Sequence, residues 1–366
     1  MLLDKGANVN SKVEGLSSLC VASQFGYEKV VQMLLDKGAN VNMRSNYPLW
    51  VASKRGHEKI VQMLLDRGAD VNQGGENYNA LHQASRNGHE NIVQTLLNRG
   101  ADVNAPDGYF GNILQATSYN GSEKIVQILL DKGANVNAQG GCFGNALQAA
   151  SYEGSEKIVQ MLLDKGANVN AQGGRYGNSL QAASINGSEK IVQMLLDKGA
   201  DVNAQGGYFG NSLQAASWFS RNKVVQILLD KGANVNAQGG CFGNALQAAS
   251  YEGSEKIVQM LLDKGADVNA RGGAYDNALN AASSVKHEKV VQILLQNGAD
   301  PSAEKAAKRS ASQAEIGSGN EDVVAKKPKA ADAGSPSTHV GAEEESENAW
   351  KDDENENSFW ESFPLW

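Results

Sequence analysis

A wide apolar stripe recurs along the chain, and residues 156–164, with the sequence EKIVQMLLD, show it in full. Apolar side chains return at i, i+3 and i+4, and a second i, i+4 pair lies beside them. They are Ile158, Val159, Met161, Leu162 and Leu163. This spacing predicts an amphipathic helix, and because the stripe is so wide, we expect the helix to have neighbours on both flanks.

Polar residues and glycines mark the ends of this helix and of a shorter helix before it. Ser155 is predicted to cap the later helix, and Gly166 to end it in left-handed backbone. Asn145 is predicted to cap the earlier helix, with Gln148 completing a capping box, and Gly154 to break it. Because neither helix is long enough to be stable alone in water, we expect units of a glycine-rich turn and two helices to stack.

This unit is an internal repeat, because the dipeptide Gly-Ala returns every 30 to 33 residues between Gly6 and Gly298. Nine full repeats and one leading fragment fill residues 1–301. The period stops at Ser302, where the composition turns to Ala, Ser, Lys, Glu and Pro. We therefore divide the chain into a repeat array, residues 1–301, and a tail, residues 302–366.

The segment LLDKGANVNAQ, residues 162–172, resembles the second-helix end and hairpin of the ankyrin repeat. Pro48 and His82 match the Pro and His of the family's Thr-Pro-Leu-His motif, which becomes Asn-Ala-Leu-Gln in the fifth repeat, where Phe143 also replaces a turn glycine. The glycine-rich form is similar to that of fungal ankyrin arrays. The resemblance implies an all-α solenoid of nine full repeats plus a leading partial repeat, whose concave side binds proteins.

Most of the net charge of the chain comes from the tail. Before Ser302, 26 Lys and Arg stand against 27 Asp and Glu, a net charge of -1, and from Ser302 onward 7 stand against 14, a net charge of -7. A nearly neutral array argues against a nucleic-acid footprint. Three cysteines and the lack of a membrane-length apolar run favour an intracellular protein of the nucleus or cytoplasm, neither secreted nor membrane-bound. We expect a monomer.

Residue types that carry chemistry do not converge in the sequence, so we predict no enzyme activity, no catalytic residue, no cofactor and no metal. His57, His89 and His287 occupy one position of different repeats. Cys142 and Cys241 lie three repeats apart, too far for a disulfide, and we expect free thiols at hairpin tips. The glycine runs lack the Gly-Lys-Ser/Thr of a phosphate loop. The nearest match to a calcium loop lacks its glycine and its bidentate Glu.

Positions that differ from repeat to repeat are candidates for recognition, because residues needed for stacking must recur. The hairpin tips and the ends of the first helices vary, and they match the contact positions of ankyrin proteins. The predicted partner-binding residues are Tyr109, Tyr119, Tyr152, Arg175, Tyr208, Trp218, Phe219 and Tyr251. The alternative interpretation is an unconstrained surface, but Tyr and Trp are typical interface anchors.

We expect Tyr208, Trp218 and Phe219 to form the centre of this site. The seventh repeat has Ser220-Arg221-Asn222 where its sisters, the fourth, fifth, sixth and eighth repeats, have Gly-Ser-Glu. Losing the helix-breaking glycine in this repeat indicates a local reshaping that stacking does not require.

The tail is predicted to be disordered, since its composition cannot bury enough apolar area. Two basic clusters resemble a bipartite nuclear-import signal or form a solvated charge run; they are Lys308, Arg309, Lys326, Lys327 and Lys329. The end of the tail mixes acidic residues with Trp350, Phe359, Trp360, Phe363 and Trp366. It fits a transcriptional activation segment, a docking peptide for another protein, or no function. A further hypothesis is that residues 350–366 fold back on repeats seven to nine and compete with the partner.

Together these features predict a non-enzymatic interaction scaffold, which we expect to be a nuclear transcriptional coregulator with one or more protein partners. The alternative is the sensor array of a larger NACHT-type signalling ATPase, because Met1 falls inside a helix position of the repeat. A third interpretation is a duplicated array that has lost its partner.

Overall fold

Nine consecutive pairs of helices form the described part of the chain, which a computed structural model covers at residues 7–13, 16–43, 47–74 and 79–301. All of these residues belong to one compact unit. The helices are α1 (Ser18–Gln24), α2 (Glu28–Asp36), α3 (Pro48–Arg55), α4 (Glu58–Asp66), α5 (Ala80–Arg86), α6 (Glu90–Asn98), α7 (Ile113–Tyr119), α8 (Glu123–Asp131), α9 (Ala146–Glu153), α10 (Glu156–Asp164), α11 (Ser179–Asn186), α12 (Glu189–Asp197), α13 (Ser212–Trp218), α14 (Asn222–Asp230), α15 (Ala245–Glu252), α16 (Glu255–Asp263), α17 (Ala278–Ser284) and α18 (Glu288–Gln296). The predicted succession of helix pairs is confirmed. Each pair belongs to one repeat, and the repeats are numbered from one to nine in this order.

Strands in the described residues are limited to two short hairpins. β1 (Lys12–Val13) pairs antiparallel with β2 (Leu16–Ser17), and β3 (Pro106–Asp107) pairs antiparallel with β4 (Gly111–Asn112). The strands of one hairpin do not pair with those of the other. The helices therefore provide the core.

The first helix of the fifth repeat, α9, begins and ends as its sequence predicts. The Asn145 side chain accepts a hydrogen bond from the backbone N–H of Gln148 at 2.9 Å, and Gly154 ends the helix in left-handed backbone. The predicted capping box is wrong in one respect. The Gln148 side chain donates instead to the carbonyls of Ala171 and Gly177 in the next repeat, at 3.2 and 3.3 Å. The amide thereby joins two repeats.

The second helix, α10, ends in a Schellman motif. Gly166 has φ +85, its N–H donates to the Leu163 carbonyl, and the Ala167 N–H donates to the Leu162 carbonyl. At its start, Ser155 occupies the cap position but its hydroxyl makes no capping hydrogen bond, so that part of the prediction is wrong. The Glu at the first position of α10 still complements the helix dipole.

The core runs between repeats, as the wide apolar stripe predicts. Ile158, Val159 and Leu162 of α10 are fully buried, and α10 contacts both α8 and α12. An asparagine ladder supplements this apolar contact. The Asn137 side chain accepts from the backbone N–H of Asn168 at 2.8 Å and donates to the Gly166 carbonyl at 3.0 Å. Each repeat is therefore held to the next by apolar and polar contacts together.

Hairpin tips of successive repeats also bond to one another. The Cys142 N–H donates to the Tyr109 carbonyl at 3.0 Å, the Arg175 N–H donates to the Cys142 carbonyl at 2.9 Å, and the series continues to Ala274. Glycine makes this close approach feasible, since a Cβ on Gly174 would lie 2.3 Å from the carbonyl carbon of Phe143. The tips thus form a backbone ladder of one hydrogen bond per repeat.

Replacing Gly174 by Ala is predicted to destabilise the array more than replacing Gly166 by Ala. Both glycines have left-handed backbone, with φ +60 and +85, but a Cβ on Gly166 would meet no atom within 4 Å. Gly166→Ala should cost about 1–2 kcal/mol from backbone strain alone. Gly174→Ala should cost a further ~1–3 kcal/mol from the clash with the neighbouring tip. Guanidinium denaturation followed by circular dichroism measures the difference, and equal midpoints would contradict the tip ladder.

Candidate functional site

Two rows of side chains run along one side of the array, which we call the front face. The first row lies on the hairpin tips and contains Tyr109, Cys142, Arg175, Tyr208 and Cys241. The second row lies at the ends of the first helices and contains Tyr119, Tyr152, Ile185, Trp218 and Tyr251. Because the tip backbones repeat the same hydrogen bond, the first row presents a different side chain at the same backbone position in each repeat.

A third row of rings, which is not among the predicted partner-binding residues, supports these two. It contains Phe110, Phe143, Tyr176, Phe209, Phe242 and Tyr275, one residue after each tip. Phe143 is 2% exposed, and its ring centroid lies 4.9 Å from that of Tyr119 and 5.6 Å from that of Tyr152. The signal was present in the sequence, because this aromatic position recurs in six consecutive repeats as a stacking residue should.

Tyr119, Tyr152 and Tyr251 are half-buried between these supporting rings. Tyr152 stacks on Tyr176 with centroids 4.6 Å apart, and Tyr251 lies 4.8 Å from Tyr275. Such contacts fix the ring orientations before any partner arrives. These tyrosines therefore present one edge to solvent and use the rest of the ring for packing.

Trp218 does not lie on the surface, and the expectation that it forms a solvent-facing anchor is wrong. The side chain is 5% exposed, stacked 4.1 Å from Phe242 and 5.1 Å from Tyr251. Its indole fills the space that a tyrosine fills in the fourth and fifth repeats. A large ring at a variable position here serves packing between the seventh and eighth repeats.

The outer part of the same region belongs to Tyr208 and Phe219. Tyr208 is 37% exposed, and Phe219 is half-buried against Phe209 with centroids 5.4 Å apart. Burial and the neighbouring Cys241 raise the pKa of the Tyr208 phenol to about 12, so the hydroxyl stays protonated at neutral pH. Tyr109 and Arg175 are half-buried tip residues of the same row.

The departure in the seventh repeat does not reshape the stack, so that expectation is also wrong. Ser220 is in left-handed backbone with φ +56, as is Gly154 of the fifth repeat with φ +90, and α14 begins two residues later at Asn222. The Arg221 Nε donates to the Ile185 carbonyl of the preceding repeat at 2.9 Å. His57 makes the same kind of contact, with Nε2 3.1 Å from the Gln24 carbonyl. Arg221 is a stacking residue.

The thiols of the front face are poor nucleophiles. Burial raises the pKa of Cys142 and of Cys241 to about 11, so each is protonated at neutral pH. Both are free cysteines, as predicted. In the part of the chain that the structure describes, His, Cys, Asp and Glu nowhere gather in threes as a metal site requires. Every helix described there is too short or too polar to cross a bilayer.

The second helices form the opposite surface, the back face, where charges are paired across repeats. Lys157 lies 3.0 Å from Glu123, and Lys165 lies 3.0 Å from Asp131. The same pattern joins Lys59 to Glu28, Arg67 to Asp36, Arg99 to Asp66, Lys124 to Glu90, Lys190 to Glu156, Lys198 to Asp164, Lys223 to Glu189, Lys231 to Asp197, Lys264 to Asp230 and Lys289 to Glu255. These exposed pairs leave the back face close to neutral and contribute little to stability individually.

One imidazole and one carboxylate are buried together beneath the front face. His82 Nε2 lies 3.5 Å from Asp107 Oδ2, with both side chains almost fully buried. Burial lowers the pKa of His82 to about 4, the Asp107 carboxylate opposes this shift, and Arg86 adds to it. The other Asp107 oxygen accepts hydrogen bonds from the N–H groups of Tyr109 and Phe110. His82 thus contacts the hairpin of the next repeat, as Gln148 does in the fifth.

The tail residues predicted for docking and nuclear import lie outside the described residues. They are Trp350, Phe359, Trp360, Phe363, Trp366, Lys308, Arg309, Lys326, Lys327 and Lys329.

Comparison with known protein families matches most of the chain. The model described as ankyrin repeats in three copies matches residues 42–107, 113–206, 174–239 and 212–305. The single ankyrin-repeat model matches residues 14–46. None of the curated proteins matches the chain.

Acidification is predicted to weaken folding through His82. Its folded pKa of about 4 lies below the unfolded value of about 6.5, so the unfolded state binds more protons between these values. The neutral His82 contributes fully to the free energy of unfolding above pH ~6.5. This contribution is lost as the pH falls towards 4, and at pH 5 the loss is about 2 kcal/mol. His82→Gln, which introduces the residue found at 148, should remove this part of the pH dependence. Denaturation midpoints of the wild type and the variant at pH 7.5 and pH 5 test this prediction. An equal fall in midpoint for both proteins would contradict it.

Proposed function

Because the chain belongs to the ankyrin-repeat family, whose repeats mediate binding to other proteins, we propose that it is a non-enzymatic scaffold that holds protein partners on its front face. One observation carries this proposal. The tip side chain changes from Tyr109 to Cys142, Arg175 and Tyr208 while the backbone hydrogen bond between tips stays the same. Variation on a fixed backbone fits recognition better than it fits stacking.

The aromatic support beneath the face favours binding in a second way. Rings such as Tyr152 are held by neighbouring rings, so little side-chain freedom is lost when a partner covers them. Tyrosine and arginine are also the residue types that contribute most at protein interfaces. We place the centre of the site at Tyr208 and Phe219, with Arg175 beside them, and assign Trp218 to their support.

We further propose that the protein acts in the nucleus as a transcriptional coregulator. The support comes from the sequence of residues 302–366, where two basic clusters precede an acidic segment with five large aromatic side chains. In this proposal the array selects the partner and the tail recruits a second protein. The proposal involves no cofactor, no direct contact with nucleic acid and a monomeric array. The NACHT-type alternative stays a prediction, to which the described residues add no support.

Removing the two outer aromatics, Tyr208 and Phe219, is predicted to weaken partner capture without unfolding the array. Tyr208→Ala with Phe219→Ala should weaken binding by about 2 kcal/mol or more for each anchor that a partner covers. The matched control is Lys157→Ala with Gln160→Ala on the back face. Quantitative mass spectrometry of proteins captured from the source cell gives the readout, with dichroism spectra to establish folding. If the back-face control loses the same partners and the front-face variant keeps them, the site is misplaced.

Trp218→Ala serves as the contrasting variant. Loss of a buried indole should lower stability by about 3–5 kcal/mol, and it should affect partner capture only as far as the seventh and eighth repeats loosen. Its denaturation midpoint should therefore fall well below that of Tyr208→Ala.

Nuclear placement is predicted to depend on the basic clusters. Replacing Lys326, Lys327 and Lys329 by Ala in a fluorescent fusion should move the protein from nucleus to cytoplasm. Replacing Lys124, Lys157 and Lys190, which changes the charge equally on the back face, should leave it in place. A wild-type fusion that stays cytoplasmic would contradict the nuclear proposal and leave the scaffold proposal intact.

A further inference from the structure

We propose that the first three repeats carry a docking subsite for an acidic peptide segment with apolar side chains, formed by Phe25, Tyr27, Lys54, Arg55 and Arg86. The inference rests on the proposed scaffold function and adds a partner chemistry to one end of the same front face. It stands on two independent features of these repeats, an exposed aromatic pair and a group of cations that form no ion pair with a described carboxylate.

The aromatic pair is the most exposed in the described residues. Phe25 is 60% exposed and Tyr27 is 57% exposed, against 37% for Tyr208. Their rings stack with centroids 6.0 Å apart at the junction between α1 and α2. In the fifth repeat the equivalent residues are Glu153 and Ser155, so stacking does not require aromatics at these positions. An exposed, preformed ring pair is a suitable contact for apolar side chains.

The cations lie at the ends of the next two first helices. Lys54 and Arg55 are in the last turn of α3, and Arg86 is in the last turn of α5. Arg55 and Arg86 are exposed, and the Lys54 ammonium lies 5.4 Å from the centre of the Trp50 ring. None of the three forms an ion pair with a described carboxylate. This differs from the back face, where twelve cations pair with carboxylates of the preceding repeat.

The buried carboxylate beneath this side of the array, Asp107, does not neutralise the group. Asp107 is buried, and its two oxygens face His82 and the backbone N–H groups of Tyr109 and Phe110. Because no described carboxylate forms an ion pair with Lys54, Arg55 or Arg86, their positive charge can pair with a ligand. Carboxylates of a peptide would pair with these cations and, for the arginines, could bond to both nitrogens of the guanidinium fork.

The aromatic pair and the cations lie on one continuous surface. Phe25, Arg55 and Asn87 are equivalent residues of successive repeats, each following or ending its first helix. His57 joins the first two of these repeats at this point, and His89 joins the next two through the Lys54 carbonyl at 3.1 Å. With stacked helices about 10 Å apart, the subsite spans roughly 20 Å. An extended peptide of about six to eight residues covers that distance.

An acidic peptide fits better than a nucleic acid. Three cations over two repeats neutralise few phosphates, whereas a nucleic-acid footprint is a broad basic stripe. The back face next to them carries carboxylates such as Glu28 and Glu58. The exposed rings add apolar area that a peptide with Phe or Leu between acidic residues would bury.

Fluorescence anisotropy of the full chain with a labelled synthetic peptide of about 12 residues, alternating Glu with Leu or Phe, tests the inference. Lys54→Glu with Arg55→Glu and Arg86→Glu should weaken binding at least about tenfold. The matched control, Lys124→Glu with Lys157→Glu and Lys190→Glu, has the same net charge and should change the affinity less than about twofold. Phe25→Ala with Tyr27→Ala should also weaken binding, while dichroism spectra stay unchanged.

A second peptide, with Gln in place of Glu, and an oligothymidylate of similar length complete the design. The Gln peptide should bind at least about tenfold more weakly than the Glu peptide. Equal weakening by both triple variants, equal affinity for both peptides, no binding of the Glu peptide, or tighter binding of the oligothymidylate would each overturn the subsite. Partner capture that depends on Tyr208 and Phe219 is measured separately, so the scaffold function can hold when this subsite fails.

Discussion

Contact between neighbouring repeats is the interaction on which the rest of this structure depends. The described helices have seven to nine residues, too few to persist alone in water. Each helix pair therefore gains its stability by burying residues such as Ile158 and Leu162 against the repeats on either side. Hydrogen bonds also join adjacent repeats, because Gln148, Asn137 and the tip N–H of Arg175 all bond to a neighbouring repeat. The array is stabilised along its axis, one interface at a time.

This constraint divides side chains between stacking and recognition. A residue that contacts a neighbouring repeat is fixed by that contact even where its type is unusual, as Arg221 and Trp218 show. A tip side chain can differ from repeat to repeat, since the backbone hydrogen bond between tips stays the same whatever the side chain. Glycine at 174 lets that backbone approach closely and leaves the tip position available for variation. The left-handed backbone of a glycine before the tip thus allows the tip residue itself to vary in type.

Sequence periodicity predicts which residues recur, and it located the helix pairs, the Asn145 cap and the left-handed Gly166 correctly. It does not report distances between repeats, and the errors follow from that. The Gln148 amide was placed inside its own helix although its partners are one repeat away. Trp218 was placed on the surface because its position varies, yet a variable position can still be buried when a large ring replaces another. The buried row of Phe143 recurred in the sequence but was read as a departure from a known motif, so its supporting role was missed.

Pairing of charges across repeats gives the array a further property. On the back face twelve cations pair with carboxylates of the preceding repeat, so each added repeat changes the net charge of this face very little. A local departure from this balance then stands out, as with Lys54 and Arg55 at the end of α3. Because exposed charges are screened over about 10 Å at moderate salt, the influence of such a group extends over its own repeat and the next. The charges and the side-chain shapes that a partner contacts are therefore set within one or two repeats. One end of the front face can differ in specificity from the other without any change in how the repeats stack.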